Sequence, residues 1–168
     1  MRGLSETILS VAPSATMAMS NRSKEMIASG IDVVSLAVGE PDFATPAHIT
    51  RAAIDALNRG ETHYAPSRGI PELTAAVAEK LNRENHIPVT QKQVMVTAGA
   101  KDAIRITMMA TLNPGDEVVV IDPAWVSYEP CVQIAKGTAV HYSLNADFQV
   151  DESIFEVITD KTKMIIVN

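Results

Sequence analysis

Cysteine is almost missing from this chain. Cys131 is the only one in 168 residues, so no internal disulfide can form, and this usage fits a reducing compartment. Long apolar runs are missing too. Val118-Val119-Val120-Ile121 and Met164 to Val167 are strand-sized, far below the roughly 20 residues of a membrane span. Positive charge is in deficit, with 14 Lys+Arg against 20 Asp+Glu and no basic cluster, which argues against nucleic acid or an anionic membrane as the main partner. His48, His63, His86 and His141 lack ligand spacing, so no metal site is expected. No G-x-S-x-G elbow is present for a serine nucleophile. The N-terminus does not read as a secretory leader, because Glu6 and Pro13 interrupt the mild apolar stretch from Ile8 to Met19. These absences make cytoplasmic residence the expectation.

What is there is ordinary globular composition: 46% hydrophobic, 20% charged, formal charge −6. That is apolar enough for a core and long enough for one domain, or a domain with a short arm. No repeat or low-complexity tract points to a solenoid. Leu4 to Ser20, rich in Ser, Ala and Thr around Pro13, reads as an arm with at most a short helix. Lys24 to Ser29 reads as a helix closed by Gly30. Val33 to Val38 is a short apolar run, broken by Gly39-Glu40-Pro41-Asp42, and Pro46 can open a helix.

From Ala47 the periodicity sharpens. Ala47 to Asn58 and Pro71 to Asn85 place apolar residues on one helical face. Val94 to Ala98 is a β-branched run expected as a strand, and Lys101 to Leu112 a helix. Asn113-Pro114-Gly115-Asp116 is a turn. Then come a buried strand from Glu117 to Asp122, a helix from Trp125 to Lys136 stopped by Gly137, and a strand from Thr138 to Tyr142. A helix from Asp151 to Ile158 and a strand from Met164 to Asn168 complete the series. Strands alternating with helices predict an α/β fold with a mostly parallel sheet. The last strand delivers a polar residue at its carboxyl end, where open α/β sheets place ligands. With nothing following to cover it, that ending reads as cut.

Several segments could carry chemistry. Thr97-Ala98-Gly99-Ala100-Lys101-Asp102 runs from strand to helix start. Small side chains there let an anion approach the backbone, and Lys101 adds charge. Tight strand-to-helix turns also use Gly and Ala for packing alone. Asp122-Pro123-Ala124-Trp125 puts the sole tryptophan at another strand end, where its face can stack on an aromatic ring or pack into a helix–sheet seam. Gly39 to Phe43 and Tyr64 to Gly69 are loops that can line a site or merely shape turns. Within them, Tyr64 can donate to an anion and Arg68 can pair with a carboxylate. Cys131, mid-helix and without an activating partner, reads as packing.

Taken together and in this order, Pro13-Ser14-Ala15-Thr16, Gly39-Glu40-Pro41-Asp42-Phe43, Tyr64-Ala65-Pro66 with Gly69-Ile70-Pro71-Glu72-Leu73, Thr97 to Lys101, Asn113 to Glu117 and Asp122 to Tyr128 resemble a known series. It is that of the fold-type I, pyridoxal-phosphate-dependent class I aminotransferases, in the bacterial aspartate aminotransferase branch. The likeness covers essentially the whole chain. It implies an arm and small-domain segment over residues 1–45, followed over 46–168 by the first part of the cofactor-binding large domain. It also implies roles. Gly39 resembles the glycine whose backbone contacts the substrate carboxylate. Trp125 resembles the residue that stacks on the pyridine ring and touches substrate. Gly99, Ala100 and Lys101 match the cradle near the cofactor phosphate, with Lys101 also facing the substrate's distal carboxylate. Tyr64 matches the tyrosine that reaches the phosphate in a neighbouring subunit, which implies a homodimer. The substrates implied are an amino acid and a 2-oxo acid.

Two departures qualify the likeness. Relatives that accept prephenate tend to carry lysine where this chain has Ala12, which makes aspartate the expected amino donor. Family members are also more than twice as long. Their Schiff-base lysine, pyridinium-pairing aspartate and carboxylate-gripping arginine correspond to positions beyond Asn168. This polypeptide alone is therefore expected not to transaminate. With central strands of the sheet also drawn from that later part, the isolated chain is expected to be aggregation-prone or partly molten. Two alternatives stay open: a lyase of the same fold acting on amino acids, and a non-catalytic remnant that pairs with a full-length paralogue.

Overall fold

The computed structural model describes residues 3–168. Among these residues the elements in chain order are α1 (Glu6–Ser10), α2 (Ala15–Ala28), α3 (Ala47–Asn58), α4 (Pro71–Glu84), α5 (Ala100–Thr111), β1 (Glu117–Asp122), α6 (Tyr128–Ile134), β2 (Thr138–Ser143) and β3 (Thr162–Ile166). Single 3₁₀ turns occur at Gln91–Gln93 and Glu152–Glu156. Two units divide the chain: Ala98–Asn168 with the N-terminal segment through Val33, and Val34–Thr97.

The first unit is built on β1. Gly115, at φ +94°, completes the turn before it. Asp116 locks that turn, its N–H donating to the Asn113 carbonyl and its carboxylate accepting from the Asn113 N–H at 2.8 Å. β1 then pairs in parallel with β2 on one side and β3 on the other, in the order β2-β1-β3. A central parallel strand is covered on both faces, so its sequence reads as a continuous apolar run. Val118, Val119 and Val120 are accordingly all buried. Met108 from α5 and Leu112 just past its end meet Val118 and Val120, along with Tyr128, Cys131 and Val132 from α6. Each fully buried Val or Met here contributes about 1.5–3 kcal/mol relative to exposure. The expected α/β class and parallel sheet are what the chain forms.

Four local expectations are corrected. The helix expected from Trp125 begins only at Tyr128, because Pro130 is tolerated in a first turn but would clash with the carbonyl four residues back in a helix interior. Trp125 therefore stands in the loop ahead of α6. At the other end Lys136, not Gly137, takes the left-handed conformation, at φ +63°. Gly137 is needed for space: a Cβ there would lie 3.1 Å from both Leu112 and Val132 side chains. The arm from Leu4 to Ser20 is more helical than expected, since Ser5 caps α1 and Ser14 caps α2, and Ala and Met propagate the second helix. The expected helix from Asp151 to Ile158 is one 3₁₀ turn, N-capped by the Asp151 carboxylate.

In the second unit α3 and α4 match the sequence reading. Gly60 closes α3 at φ +77°, its N–H donating to the Leu57 carbonyl while Glu61 N–H reaches Ala56, and Pro71 occupies the first turn of α4. The strand expected over Val94 to Ala98 does not form. Val94 is extended, but among the described residues the segment joins no ladder. Val94 N–H donates to the Gln91 carbonyl at 3.2 Å and Val96 N–H to the Arg68 carbonyl at 2.9 Å. A β-branched run favours extension but becomes a strand only with a neighbour to pair.

Candidate active site

The N-terminus of α5 is shaped by its backbone. Gly99 caps it at φ +89° and ψ 164°, a region essentially closed to residues with a side chain. A Cβ built there would meet nothing within 4 Å, so conformation, not crowding, requires glycine. No side chain caps the helix. The N–H groups of a first turn have no intrahelical acceptor and carry the positive end of the helix dipole, an arrangement suited to an anion. The acid in that turn, Asp102, is neutralised by Arg105, whose Nη2 and Nε donate to Oδ1 at 2.7 and 3.1 Å.

Beside this helix end stands Trp125. The Lys101 Nζ lies over its ring, 5.0 Å from the centroid, and Tyr128 meets the ring edge-on at 5.5 Å and 85°. Trp125 keeps 40% of its surface exposed, which leaves room for a flat partner. The Tyr128 hydroxyl donates to Asn168 Oδ1 at 2.6 Å. That bond ties the start of α6 to the chain just past β3, so two strand ends converge on one locality. A cavity of about 460 Å³ adjoins it, lined by Pro13, Ser14, Lys101, Arg105, Ser127 and Cys131 among others. Burial pushes the Cys131 thiol up, opposed by the Lys101 and Arg105 charges. A thiol held protonated is a poor nucleophile, which fits the packing role.

Of the residues singled out from sequence, Gly99, Ala100, Lys101 and Trp125 fall in the first unit, and Lys101 and Trp125 are in direct contact. Gly39 and Tyr64 belong to Val34–Thr97. There Gly39 is exposed coil, and Tyr64 is fully exposed on a depression shared with Arg59, Glu61 and His63. Arg68 does not pair with a carboxylate; its guanidinium donates to the Lys92 carbonyl. Sequence reasoning missed the Tyr128–Asn168 bond and the hydrogen-bond contact of His141 with Asp122, Nδ1 to Oδ2 at 2.8 Å. Their partners lie 40 and 19 residues apart, and only the tertiary fold brings them together. Among the described residues, no cluster of His, Cys, Asp and Glu could hold a metal ion, and no helix is long and apolar enough to cross a membrane.

A cation, an aromatic plate and a helix end with no side-chain cap thus stand together at the rim of a parallel α/β sheet. Residues 31–168 match the family model for aminotransferase class I and II, and the chain belongs to that family. It is 46% identical to a probable aspartate/prephenate aminotransferase of Thermus aquaticus over all of its own length and 45% of that protein's. It is 40% identical to an aspartate aminotransferase of a Bacillus species over 98% of its length and 43% of that protein's. The structure superposes on the aspartate aminotransferase from Thermus thermophilus with maleate at a TM-score of 0.96 and 45% identity, covering 99% of this chain and 44% of that one. The chain thus spans less than half the length of the relatives it matches.

Proposed function

We propose that this chain supplies part of the site of a pyridoxal-phosphate-dependent aminotransferase that moves an amino group from aspartate to a 2-oxo acid. The observation that carries the reading is the contact of Lys101 with Trp125 at the N-terminus of α5. Its donor set suits the cofactor: a helix end and a cation for the phosphate, a partly exposed indole for the pyridine ring. Gly99, Ala100 and Lys101 would hold the phosphate, and Trp125 would stack on the ring. The cofactor supplies the electron sink on which transamination depends; this chain's residues bind and orient it.

The substrate roles follow from the same family pattern. Gly39 would offer its backbone to the substrate carboxylate. Tyr64 would reach the phosphate of a second subunit, making the working protein a homodimer. Aspartate as donor is supported by the names of the relatives and by maleate, a dicarboxylate, in the Thermus thermophilus structure. Residues 1–45 would serve as arm and small-domain segment and residues 46–168 as the first part of the large domain, in a protein of the cytoplasm.

Titration of the chain with pyridoxal phosphate and with pyridoxal, followed by quenching of Trp125 emission, tests the reading. The phosphate form should bind at least about tenfold more tightly, the worth of one charge-assisted hydrogen bond, and Lys101→Ala should narrow the gap. Equal affinities for both compounds would sink the proposal. Mixed with aspartate and a 2-oxo acid, the 168-residue chain alone should give no turnover.

A further inference from the structure

The loop that carries Trp125 runs from the end of β1 into the first turn of α6, and one imidazole faces both of its ends. His141, on β2, sits opposite Val120 in the parallel register. Its Nδ1 lies 2.8 Å from Asp122 Oδ2, where the loop begins, and its Nε2 lies 3.8 Å from Glu129 Oε2, where α6 begins. Glu129 is steadied from its other oxygen by Gln133 Nε2 at 3.1 Å. β2 carries no Asp, Glu, Lys or Arg. The two charge contacts of His141 are thus both carboxylates, while on α5 Lys101 is directed at Trp125 and Arg105 at Asp102.

We propose that His141 is a positioning residue, a staple that ties both ends of the segment from Asp122 to Glu129 and so sets the orientation of Trp125. A neutral imidazole has one N–H and can donate to only one of these carboxylates; an imidazolium donates to both. Protonation therefore draws Glu129 in toward the ring nitrogen and restrains the loop. All three side chains are between one-third and one-half exposed, so solvent screens the pairs and the effect is on loop order more than on global stability. The consequence for cofactor stacking rests on the function proposed above; the staple itself does not.

Trp125 is the only tryptophan in the chain, so its emission reports the loop without a label. Acrylamide quenching is measured on the unliganded chain at about pH 8 and pH 5.5, the interval in which histidine side chains gain their proton. The wild-type quenching constant should be lower at about pH 5.5 than at about pH 8 as the staple closes. His141→Gln should be quenched more strongly than wild type at both pH values and lose the pH response. Glu129→Gln should lose the pH response while keeping the Asp122 bond, and it serves as the comparison if His141→Gln fails to keep its far-UV spectrum. A wild-type constant that does not change with pH, or a response that survives both substitutions, would overturn the staple. Since no cofactor is present, this outcome is separate from that of the pyridoxal phosphate titration: either reading can fail while the other stands.

Discussion

Asp151 shows how a single residue can carry a measurable pH dependence. The Ser153 hydroxyl and N–H, together with the Tyr142 hydroxyl, hold its carboxyl below the ordinary value of 3.8. A carboxyl whose folded-state value is depressed adds stability above its unfolded value and loses it as pH falls through the folded one. Thermal midpoints taken from pH 6 downward should therefore fall on the acid side of 3.8 in wild type. Asp151→Asn should remove that part of the fall, and identical acid limbs would contradict it. Such a network was invisible in sequence, because Tyr142 and Asp151 sit nine residues apart across an irregular loop. Gly99, Lys101 and Trp125 were legible, because the chemistry of small residues before a helix and of a lone tryptophan at a strand end is local. Arg68 was misread, since a guanidinium finds a backbone carbonyl as readily as a carboxylate.

Elements were read well where one periodicity dominated. α3 runs from Ala47 to Asn58 and β1 from Glu117 to Asp122, as their patterns imply. They were read poorly where a helix boundary depended on a single steric fact, as with Pro130 in α6, or where extension needed a partner, as at Val94. Gly137 is the clearest case of tertiary demand on one position. Gly137→Ala would press a methyl against Leu112, Val132 and the Asp116 carbonyl, all within 3.3 Å. Overpacking of this kind costs about 1–3 kcal/mol, so the denaturation midpoint should drop accordingly. An unchanged midpoint would show that α6 and the turn before β1 yield without strain.

For the molecule as a whole, the sheet of the first unit has two outer strands. β3 is the more apolar, with Ile165 and, just past its end, Val167 exposed and a groove of about 400 Å³ between it and α5 lined by Ile104, Met164 and Ile166. An exposed apolar edge invites pairing with another chain, and a charge on it discourages that. Ile165→Lys should thus lower concentration-dependent association in sedimentation velocity while leaving the helical spectrum intact; equal association would place the contact elsewhere. The amino-acid sequence by itself determined the α/β class, the buried run of β1, the helices with clear 3.6 periodicity and the small-residue start of α5, because each depends on neighbours a few residues away. Only the tertiary structure decided that Lys101 lies on Trp125, that Tyr128 bonds Asn168, and that His141 faces Asp122 and Glu129. Those contacts join residues distant in the chain, and the packing of strands, helices and loop ends, which no local propensity encodes, is what sets them side by side.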